Sequence, residues 1–423
     1  MATTFTTYSV YYYDNQTPPV GHGMAGRIVD NGSTVTPLPD LKKTDLNGDP
    51  KVEGFADGGG TLRIAVTDYT AGTARPAYVY GAAVPGTPAT ATWSNVTNLY
   101  SLVKFGSYLY AIDYDNARVV EINATTYAQT GVSYTLPAGL TPSGFIAHGQ
   151  ALAVVGGNLY GLFTFVDSAW SNYANSLLVR FTVSGGSSIS VGANAYNGNF
   201  AKNAFSLAPQ GNDLYVAAIG GSQVAGSYNP ASRLQKIDYT AANLGAAAVI
   251  DVLSPSAAFP YEFRDISFKG TTAYILLGAY NSSWQMAGKL VSTSDFSTFA
   301  TINDFSGGAP GYFWSAQYTA DNDRIWFARG KQILVYSASS PAAPVATLGL
   351  TAGSLISTGE LFDNLNDLAY VGALGARTTL RGYRSPLQAS RTARAVQGRT
   401  LAAGRPELTA EQLALLDEDE ATA

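Results

Sequence analysis

A short apolar segment that recurs about every 50 residues is the feature that most constrains how this 423-residue chain folds. Its copies are Leu62-Arg63-Ile64, Leu109-Tyr110, Leu159-Tyr160, Leu214-Tyr215, Ala273-Tyr274, Ile325-Trp326 and Ala369-Tyr370. Apolar and polar residues alternate around each copy, and Gly, Asn, Asp and Ser bound the alternating stretches, as is typical of β-strands. A repeat sustained along the chain indicates one repeat architecture, because stacked units bury a continuous core.

Further apolar stretches flank each copy and complete a unit of four predicted strands. One precedes the copy, as in SLVKFGSYLY, another follows a loop, as in ARVVEIN, and a fourth often ends the unit, as in VSYTLP. Four strands per unit of this length predict an all-β fold, a single β-propeller of about seven four-stranded blades. We expect the repeats over residues 52–385. We expect the strands of residues 1–51 to close the propeller, either as the outer strand of the last blade or as most of an eighth blade.

The unit at residues 109–123, LYAIDYDNARVVEIN, resembles the repeats of YVTN and NHL-type β-propellers, which carry a core of the form LYV…N…V.V.D. The resemblance extends over residues 52–385 as architecture, and this unit matches the pattern well. It implies the propeller fold, and it carries no ligand and no reaction with it.

The composition excludes several classes of function. Only 13% of the residues are charged, and 25 Lys and Arg stand against 30 Asp and Glu, a formal net charge of −5. This balance argues against a nucleic-acid binder, which normally shows a strongly basic patch. Because the chain has no cysteine, it has no disulfide, no thiolate nucleophile and no Cys-ligated metal. The two histidines, His22 and His148, allow an imidazole-ligated zinc centre only if both converge.

The sequence favours an extracytoplasmic location, whether secreted, periplasmic or at a cell surface. Its strands are rich in Asn, Thr, Ser and Tyr and poor in Lys. No apolar run approaches the roughly 18 residues of a membrane span. The N-terminal stretch lacks the basic and apolar regions of a signal peptide, so we expect a chain without a leader or one that begins after its removal.

Catalytic signatures are sparse. The chain has no G-x-S-x-G motif, and His148, which we expect near the inner end of a blade, has no neighbour in sequence that would orient it as a base. The stretch EFRDISF places Glu262, Arg264 and Asp265 on a predicted inner strand. These residues would either bind a ligand or transfer protons at the channel, or form an ion pair between blades, and the ion pair is the favoured interpretation because buried charges are normally paired.

Four aromatic residues fall in the two intra-blade loops that the sequence predicts to be longest: Trp170, Tyr173, Tyr280 and Trp284. Trp and Tyr offer a large contact area together with a polar group, and loop residues carry function more often than core residues do. We therefore expect a contact surface for a sugar or a protein at these loops.

A calcium site is a second hypothesis. In DLNGDPKVEGFAD, the residues Asp45, Asn47 and Asp49 occupy alternate positions of a calcium-binding loop, and Glu53 or Asp57 would complete the ligand set. However, Pro50 stands where such loops have Gly, and the alternative is an ordinary surface turn rich in Asp and Asn.

The composition changes abruptly after Pro386. Residues 386–423 are first rich in Ala and Arg and then acidic, ending in LDEDEATA. This tail is either a solvated extension or an arm that docks on a partner or on a second copy of the chain.

Two functions remain after these exclusions. The favoured one is a non-catalytic extracytoplasmic propeller that binds a protein or glycan or takes part in a structural assembly, through its loops and its tail. The alternative is a propeller hydrolase or lyase that acts on a polysaccharide or a small ester with channel carboxylates. Both are compatible with the fold, since propellers host many functions.

Overall fold

The structure is a computed structural model that describes residues 2–13, 21–41, 46, 50–68, 76–256, 259–311, 313–356, 362 and 364–374. Within these ranges the chain forms seven antiparallel sheets, and helical structure is confined to the short 3-10 turns Ala138–Leu140, Leu244–Ala246 and Asp321–Asp323. The predicted all-β propeller of seven blades is confirmed.

The N-terminal strands are β1 (Thr4–Tyr13), β2 (Gly21–Asp30) and β3 (Val35–Leu38). Blade 1 consists of β4 (Pro50–Ala56), β5 (Leu62–Asp68), β6 (Pro76–Gly81) and β7 (Ala89–Thr92). Blade 2 consists of β8 (Leu99–Phe105), β9 (Tyr108–Asp113), β10 (Arg118–Asn123) and β11 (Gln129–Thr135). Blade 3 consists of β12 (Ile146–Val155), β13 (Asn158–Val166), β14 (Tyr173–Ser184) and β15 (Ser188–Ser190), and β16 (Tyr196–Lys202) also pairs with β14.

Blade 4 consists of β17 (Ala204–Gln210), β18 (Asp213–Ala218), β19 (Arg233–Asp238) and β20 (Ile250–Leu253). Blade 5 consists of β21 (Glu262–Lys269), β22 (Thr272–Tyr280), β23 (Met286–Thr293) and β24 (Ala300–Asp304). Blade 6 consists of β25 (Trp314–Thr319), β26 (Arg324–Arg329), β27 (Gln332–Ser337) and β28 (Ser340–Gly349). The last strand is β29 (Asn364–Ala373).

Blade 7 is assembled from distant parts of the chain. Its strand order is β29-β1-β2-β3, so β29 is the inner strand and the N-terminal segment supplies the other three. The N-terminal strands therefore contribute more than one outer strand to this blade and do not form an eighth. Six of the seven recurring segments lie on second strands, from β5 to β26, whereas Ala369-Tyr370 lies on the inner strand β29.

Apolar side chains of facing sheets form the core. Leu109 and Ala111 on β9 and Val120 and Ile122 on β10 share one buried cluster with Phe55 of blade 1. Alternate residues of each strand thus pack against the neighbouring blade, which explains the period-two pattern of the sequence.

Five inner strands contain a β-bulge near their N-terminal end. The residues that the ladder skips are Tyr100 on β8, Gln150 on β12, Phe205 on β17, Arg264 on β21 and Asn366 on β29. A bulge re-aims a side chain and is common beside functional sites.

None of the helical turns in the described ranges has the length and hydrophobicity that a membrane crossing requires.

Candidate functional site

The inner strands begin at the same end of the propeller, which we call the channel face. Strand register places the loops between second and third strands at this end, since Ile146 at the start of β12 pairs with Val166 at the end of β13. Glu262 pairs in the same way with Gly278 near the end of β22. Both loops in which the sequence predicted exposed aromatic residues therefore lie at the channel face.

Two tryptophans are held at this face by turns of the same design, which we call the tryptophan turns. In blade 3 the turn spans residues 167–172, and the N–H of Trp170 donates to the carbonyl of Asp167 at 3.0 Å. In blade 5 it spans residues 281–285, and the N–H of Trp284 donates to the carbonyl of Asn281 at 3.0 Å. Both tryptophans have positive φ, 57° and 58°. Such a conformation is unusual for a bulky residue and is costly unless the surroundings enforce it.

The side chain of the first residue in each turn holds the tryptophan backbone in this conformation. Asp167 Oδ1 accepts the N–H of Ser171 at 2.8 Å, and Asn281 Oδ1 accepts the N–H of Gln285 at 2.9 Å. Although desolvation opposes it, hydrogen bonding to Asn172 and Ser171 lowers the pKa of Asp167 to about 2. The carboxylate therefore stays ionised at neutral pH, and each indole is presented by a locally specified turn.

Beneath Trp170 lies a stack of aromatic rings. The ring centroids are 5.0 Å apart for Trp170 and His148, 4.3 Å for His148 and Tyr114, and 4.2 Å for Tyr114 and Tyr100. The Lys51 ammonium lies 5.7 Å from the Tyr100 centroid. Within the described residues neither nitrogen of His148 has a hydrogen-bond partner. Burial lowers the pKa of His148 to about 4, against a smaller opposing effect of the Tyr114 backbone, so the imidazole is neutral at neutral pH.

Beneath Trp284 lies a buried ion pair. Arg264, 2% exposed, donates from Nη2 to Glu262 and from Nε to the carbonyl of Gly278 at 3.0 Å. Its guanidinium lies 5.5 Å from the ring centroid of Tyr280, which lies 5.6 Å from that of Trp284. Burial raises the pKa of Glu262, against the opposing attraction of Arg264. The predicted ion pair exists, but it joins two residues of one strand rather than two blades.

The two tryptophan turns and the inner strands beneath them are related by register. His148 and Glu262 each lie two residues before a bulge, and Gln150 and Arg264 are the bulged residues. Gln150 Nε2 and Arg264 Nη1 both lack an acceptor among the residues that the structure describes. A buried donor without an acceptor costs about 1–3 kcal/mol, so two at equivalent positions call for an explanation such as a ligand or bound water.

A loop of blade 4, residues 219–232, joins the two turns and is called the blade-4 loop below. Ser222 Oγ donates to the carbonyl of Ser171 in the blade-3 turn. The N–H of Gly226 donates to the carbonyl of Tyr280 at 2.8 Å, next to the blade-5 turn. Gly220, with φ of 93°, permits the sharp start of this loop, since a Cβ there would lie 2.3 Å from the backbone of Ala231. The sequence did not single out this loop, although it is longer than either tryptophan turn.

Tyr173 and Tyr280 are strand ends rather than loop residues. Tyr173 begins β14, Tyr280 ends β22, and both are buried. Burial raises the pKa of Tyr173 to about 12. The solvent-accessible aromatic surface of the two turns is therefore that of Trp170, which is half-buried, and Trp284, which is 44% exposed.

Asp265 connects three blades. Its carboxylate accepts hydrogen bonds from Ser206 Oγ in blade 4 at 2.7 Å, from Ser315 Oγ in blade 6 at 3.0 Å and from the N–H of Ala316 at 2.9 Å. Glu262 also contacts blade 4, since its Oε1 accepts the N–H of Asn229 at 2.9 Å, but Asp265 is the residue of this stretch that joins blades on both sides.

The residues of the calcium hypothesis fall into two groups. Asp45, Asn47 and Asp49 lie outside the described residues. Asp57 accepts the N–H groups of Gly59 and Thr61 and pairs with Arg63 at 2.8 Å. Glu53 lies within β4, buried and four residues from Asp57, a separation of about 13 Å along an extended strand, so the two do not share one ion.

Metal ligation has no support within the described ranges, which contain no group of three or more His, Cys, Asp or Glu residues able to hold a metal ion. Calcium binding by the loop at residues 45–49 stays a prediction. The tail at residues 386–423 also lies outside the described residues.

The chain is similar to several solved structures. A putative 6-phosphogluconolactonase from Bacteroides fragilis NCTC 9343 matches with a TM-score of 0.55 and 11% identity over 88% of this chain and 98% of that chain. One from Bacteroides uniformis ATCC 8492 matches with a TM-score of 0.52 and 13% identity over 88% and 100%. The periplasmic gluconolactonase of Pseudomonas aeruginosa matches with a TM-score of 0.53 and 13% identity over 88% and 100%.

At these identities the likeness concerns the fold. No model of a known protein family matches the chain, and no curated protein does. The strand order of the seven sheets, the closure of blade 7 by β1–β3 and β29, and the similar structures together identify the protein as a seven-bladed β-propeller.

Proposed function

We propose that the protein is a non-catalytic, glycan-binding β-propeller whose ligand lies on the channel face across the two tryptophan turns. The observation that carries this proposal is the pair of indoles at positive φ, Trp170 and Trp284, at register-equivalent positions of blades 3 and 5. Indole rings provide the flat apolar area that packs against the C–H face of a sugar, together with an N–H donor.

The other tryptophans of the chain serve as a contrast. Trp93, Trp314 and Trp326 are each 1% exposed and are not among the residues with positive φ. These three tryptophans are therefore core residues with ordinary backbone conformations, and packing explains their presence. Among the tryptophans, positive φ is found only in the two that solvent reaches, and backbone strain of this kind is often found at functional sites.

The blade-4 loop supports a ligand longer than one sugar. It contacts the blade-3 turn through Ser222 and the neighbourhood of the blade-5 turn through Gly226. A chain of sugars that stacks on both indoles would run along this loop. Extended ligands of this kind gain affinity because the second contact is intramolecular once the first has formed.

The test is calorimetric titration of the full chain with a panel of neutral and acidic oligosaccharides, repeated with Trp170→Asn and Trp284→Asn. Asn tolerates positive φ, so each change removes the ring and keeps the turn. We expect each single change to weaken binding about tenfold, as loss of one stacked ring does. Val345→Asn, at an exposed residue of β28, is the control and should bind as the wild type does. Unchanged affinity in both tryptophan variants would reject the site.

The second candidate is a hydrolase of a small ester, with Glu262 as the channel carboxylate. Two observations favour it: the pKa of Glu262 is raised by burial, as in a general acid, and the three similar structures carry names of lactonases. The test is an assay of gluconolactone hydrolysis in which the rate of proton release is measured. A hydrolysis rate above the spontaneous rate in buffer that disappears in the double variant Glu262→Gln/Arg264→Gln would favour the hydrolase. A hydrolysis rate equal to the spontaneous rate in buffer favours the binding protein.

The proposal also includes a location outside the cytoplasm and self-association through residues 386–423. Support for the location is the low content of Lys and other charged residues and the periplasmic location in the name of one similar structure. Light scattering of the full chain beside a 1–385 truncation tests the role of the tail. Assembly of the full chain alone supports the docking arm, and two monomers reject it.

A further inference from the structure

Blade 3 contains one strand more than the other blades that the structure describes. Its third strand, β14, pairs with β15 near its C-terminal end and with β16 along its first part. The register sets Asn175 of β14 opposite Lys202 of β16. Residues directly opposite each other in an antiparallel pair point to the same face of the sheet. These two side chains are therefore neighbours at the channel face, where β14 begins and β16 ends.

The third strand of blade 4, β19, lies against β16 and completes a cavity of about 240 Å³. Gln235 of β19 accepts the N–H of Ala201 on its Oε1 at 2.7 Å. Arg233 lies two residues earlier on β19, so its side chain points to the same face. The polar residues that line the cavity are Asn175, Asn199, Lys202, Arg233 and Gln235. The cavity is smaller than the roughly 300–1,000 Å³ of pockets for drug-sized ligands, so it suits a small group.

The cavity lining has hydrogen-bond donors that the described residues leave unused. Gln235 is fully occupied, because its Nε2 donates to Asp251 at 2.7 Å. Arg233 donates from Nε to Asp251 and from Nη1 to two backbone carbonyls, whereas its Nη2 has no acceptor within the described ranges. Three more lining side chains form no hydrogen bond or ion pair with a described residue: Asn175, Asn199 and Lys202.

Lys202 leaves the cavity with one net positive charge. The charges of Arg233 and Asp251 cancel, since they form an ion pair at 3.1 Å, whereas Lys202 has no acidic partner among the described residues. Of the lysines that the structure describes, only Lys331 is likewise without a partner, and it does not line the cavity. The side chain of Lys202 is exposed, so the cavity opens directly to solvent.

We propose that this cavity binds one singly charged oxyanion group, a carboxylate or a sulfate, with the Lys202 ammonium and Nη2 of Arg233 as charged donors and the amides of Asn175 and Asn199 as further donors. Hydrogen bonds from charged donors are roughly twice as strong as neutral ones. One net positive charge balances one negative charge, whereas a phosphate monoester carries about −1.5 to −2 at pH 7. The site goes beyond the proposed function, because neither indole of the tryptophan turns lines the cavity.

The experiment is saturation-transfer NMR on the full chain, titrated at constant ionic strength with acetate, with methyl sulfate and with acetamide, the neutral counterpart of acetate. We expect both anions to bind, and acetamide to bind at least about tenfold more weakly than acetate. Lys202→Gln should weaken acetate binding about tenfold, and Lys202→Arg, which keeps the cation, should retain most of the affinity. Lys331→Gln removes the other unpartnered lysine and is the matched control, which should bind acetate as the wild type does.

The contradicting outcomes are specific. Equal affinity for acetate and acetamide, or the same loss in Lys202→Gln as in Lys331→Gln, overturns the site. Tighter binding of methyl phosphate than of methyl sulfate overturns the preference for a single charge.

A further titration with glucuronate identifies the source of the group. Tighter binding of glucuronate than of acetate indicates an acidic sugar, and equal binding indicates a free small anion; both results support the site. The inference and the proposed function fail separately. A chain that binds acetate through Lys202 and binds no oligosaccharide of the panel rejects the proposed function and supports the oxyanion site.

Discussion

Asp265 and Asp367 occupy equivalent positions on the inner strands of blades 5 and 7, and each accepts a backbone N–H from the inner strand of the next blade. Asp265 accepts from Ala316 at 2.9 Å, and Asp367 accepts from Val52 at 3.0 Å. Each also accepts the N–H of the residue that follows it, at 2.9 and 3.0 Å. Both follow a bulged residue. The bulge and the hydrogen bonds of the carboxylate therefore form one structural motif that connects consecutive blades.

The buried carboxyl of Asp265 makes stability depend on pH. Burial raises its pKa to about 6, although four hydrogen bonds oppose the shift. Between about pH 4, where the unfolded carboxyl titrates, and pH 6, the folded state keeps a proton that the unfolded chain has released, so stability falls as pH rises. We expect the free energy of unfolding of the wild type, relative to Asp265→Asn, to fall by on the order of 2 kcal/mol over this window. Urea unfolding at several pH values measures it, and a constant difference would contradict the raised pKa.

His148 makes the free energy of unfolding depend on pH in the opposite direction. Its folded pKa of about 4 lies below the value of about 6.5 in the unfolded chain. The unfolded state therefore binds a proton first as the pH falls, and stability is lost from about pH 6.5 down to pH 4. His148→Phe keeps a ring between Tyr114 and Trp170 and removes the titration. We expect this variant to gain on the order of 3 kcal/mol relative to the wild type between these pH values. A wild type that loses no stability relative to the variant on acidification would show that the imidazole is not desolvated.

The closing blade depends on a buried ion pair. Arg324 of blade 6 pairs with Asp30 of β2 at 2.9 Å and donates to the carbonyl of Gly32 at 2.7 Å. Arg324→Ala leaves Asp30 buried and unpaired, which costs about 3–5 kcal/mol. The control is Lys289→Ala, which breaks an exposed pair with Asp304 and should cost less than about 1 kcal/mol. Thermal unfolding compares the two, and equal losses would mean that the closure does not depend on this pair.

The strain at Trp284 predicts an unusual response to substitution. Its side chain is 44% exposed and its φ is 58°. Trp284→Asn relieves the backbone but removes the more than half of the residue's surface that is buried, so we expect the two effects to offset each other and stability to change by less than about 2 kcal/mol. Denaturant unfolding measures the change. A loss of more than about 2 kcal/mol would show that the indole is a packing residue rather than a presented surface.

The sequence predicts the fold well because the repeat follows directly from burial. Strand residues such as Leu109 and Ile122 alternate between facing blades, and that alternation is visible without a structure. The assignment of Ala369-Tyr370 to a second strand is wrong for a topological reason. Blade 7 takes its second strand from the N-terminus, and a periodic pattern does not reveal which distant segment pairs with which.

The site is predictable only in part. Trp170 and Trp284 are visible as loop aromatics, and aligning DSAW with NSSW would have revealed that the turns are equivalent. The equivalence of Gln150 and Arg264 depends on bulges, which are properties of strand pairing and leave no local signal. The blade-4 loop is rich in Gly, Ser and Ala and has no periodicity, so its contacts with both turns follow only from the fold.

Protection of tryptophans from oxidation tests the central claim most directly. N-bromosuccinimide at limiting concentration should modify Trp170 and Trp284, which solvent reaches, and spare the three buried tryptophans. Peptide mass spectrometry with and without an oligosaccharide that binds in the calorimetric panel locates the protection. We expect the bound oligosaccharide to protect both Trp170 and Trp284, and binding of the oligosaccharide that leaves both equally reactive would contradict a ligand across the two turns.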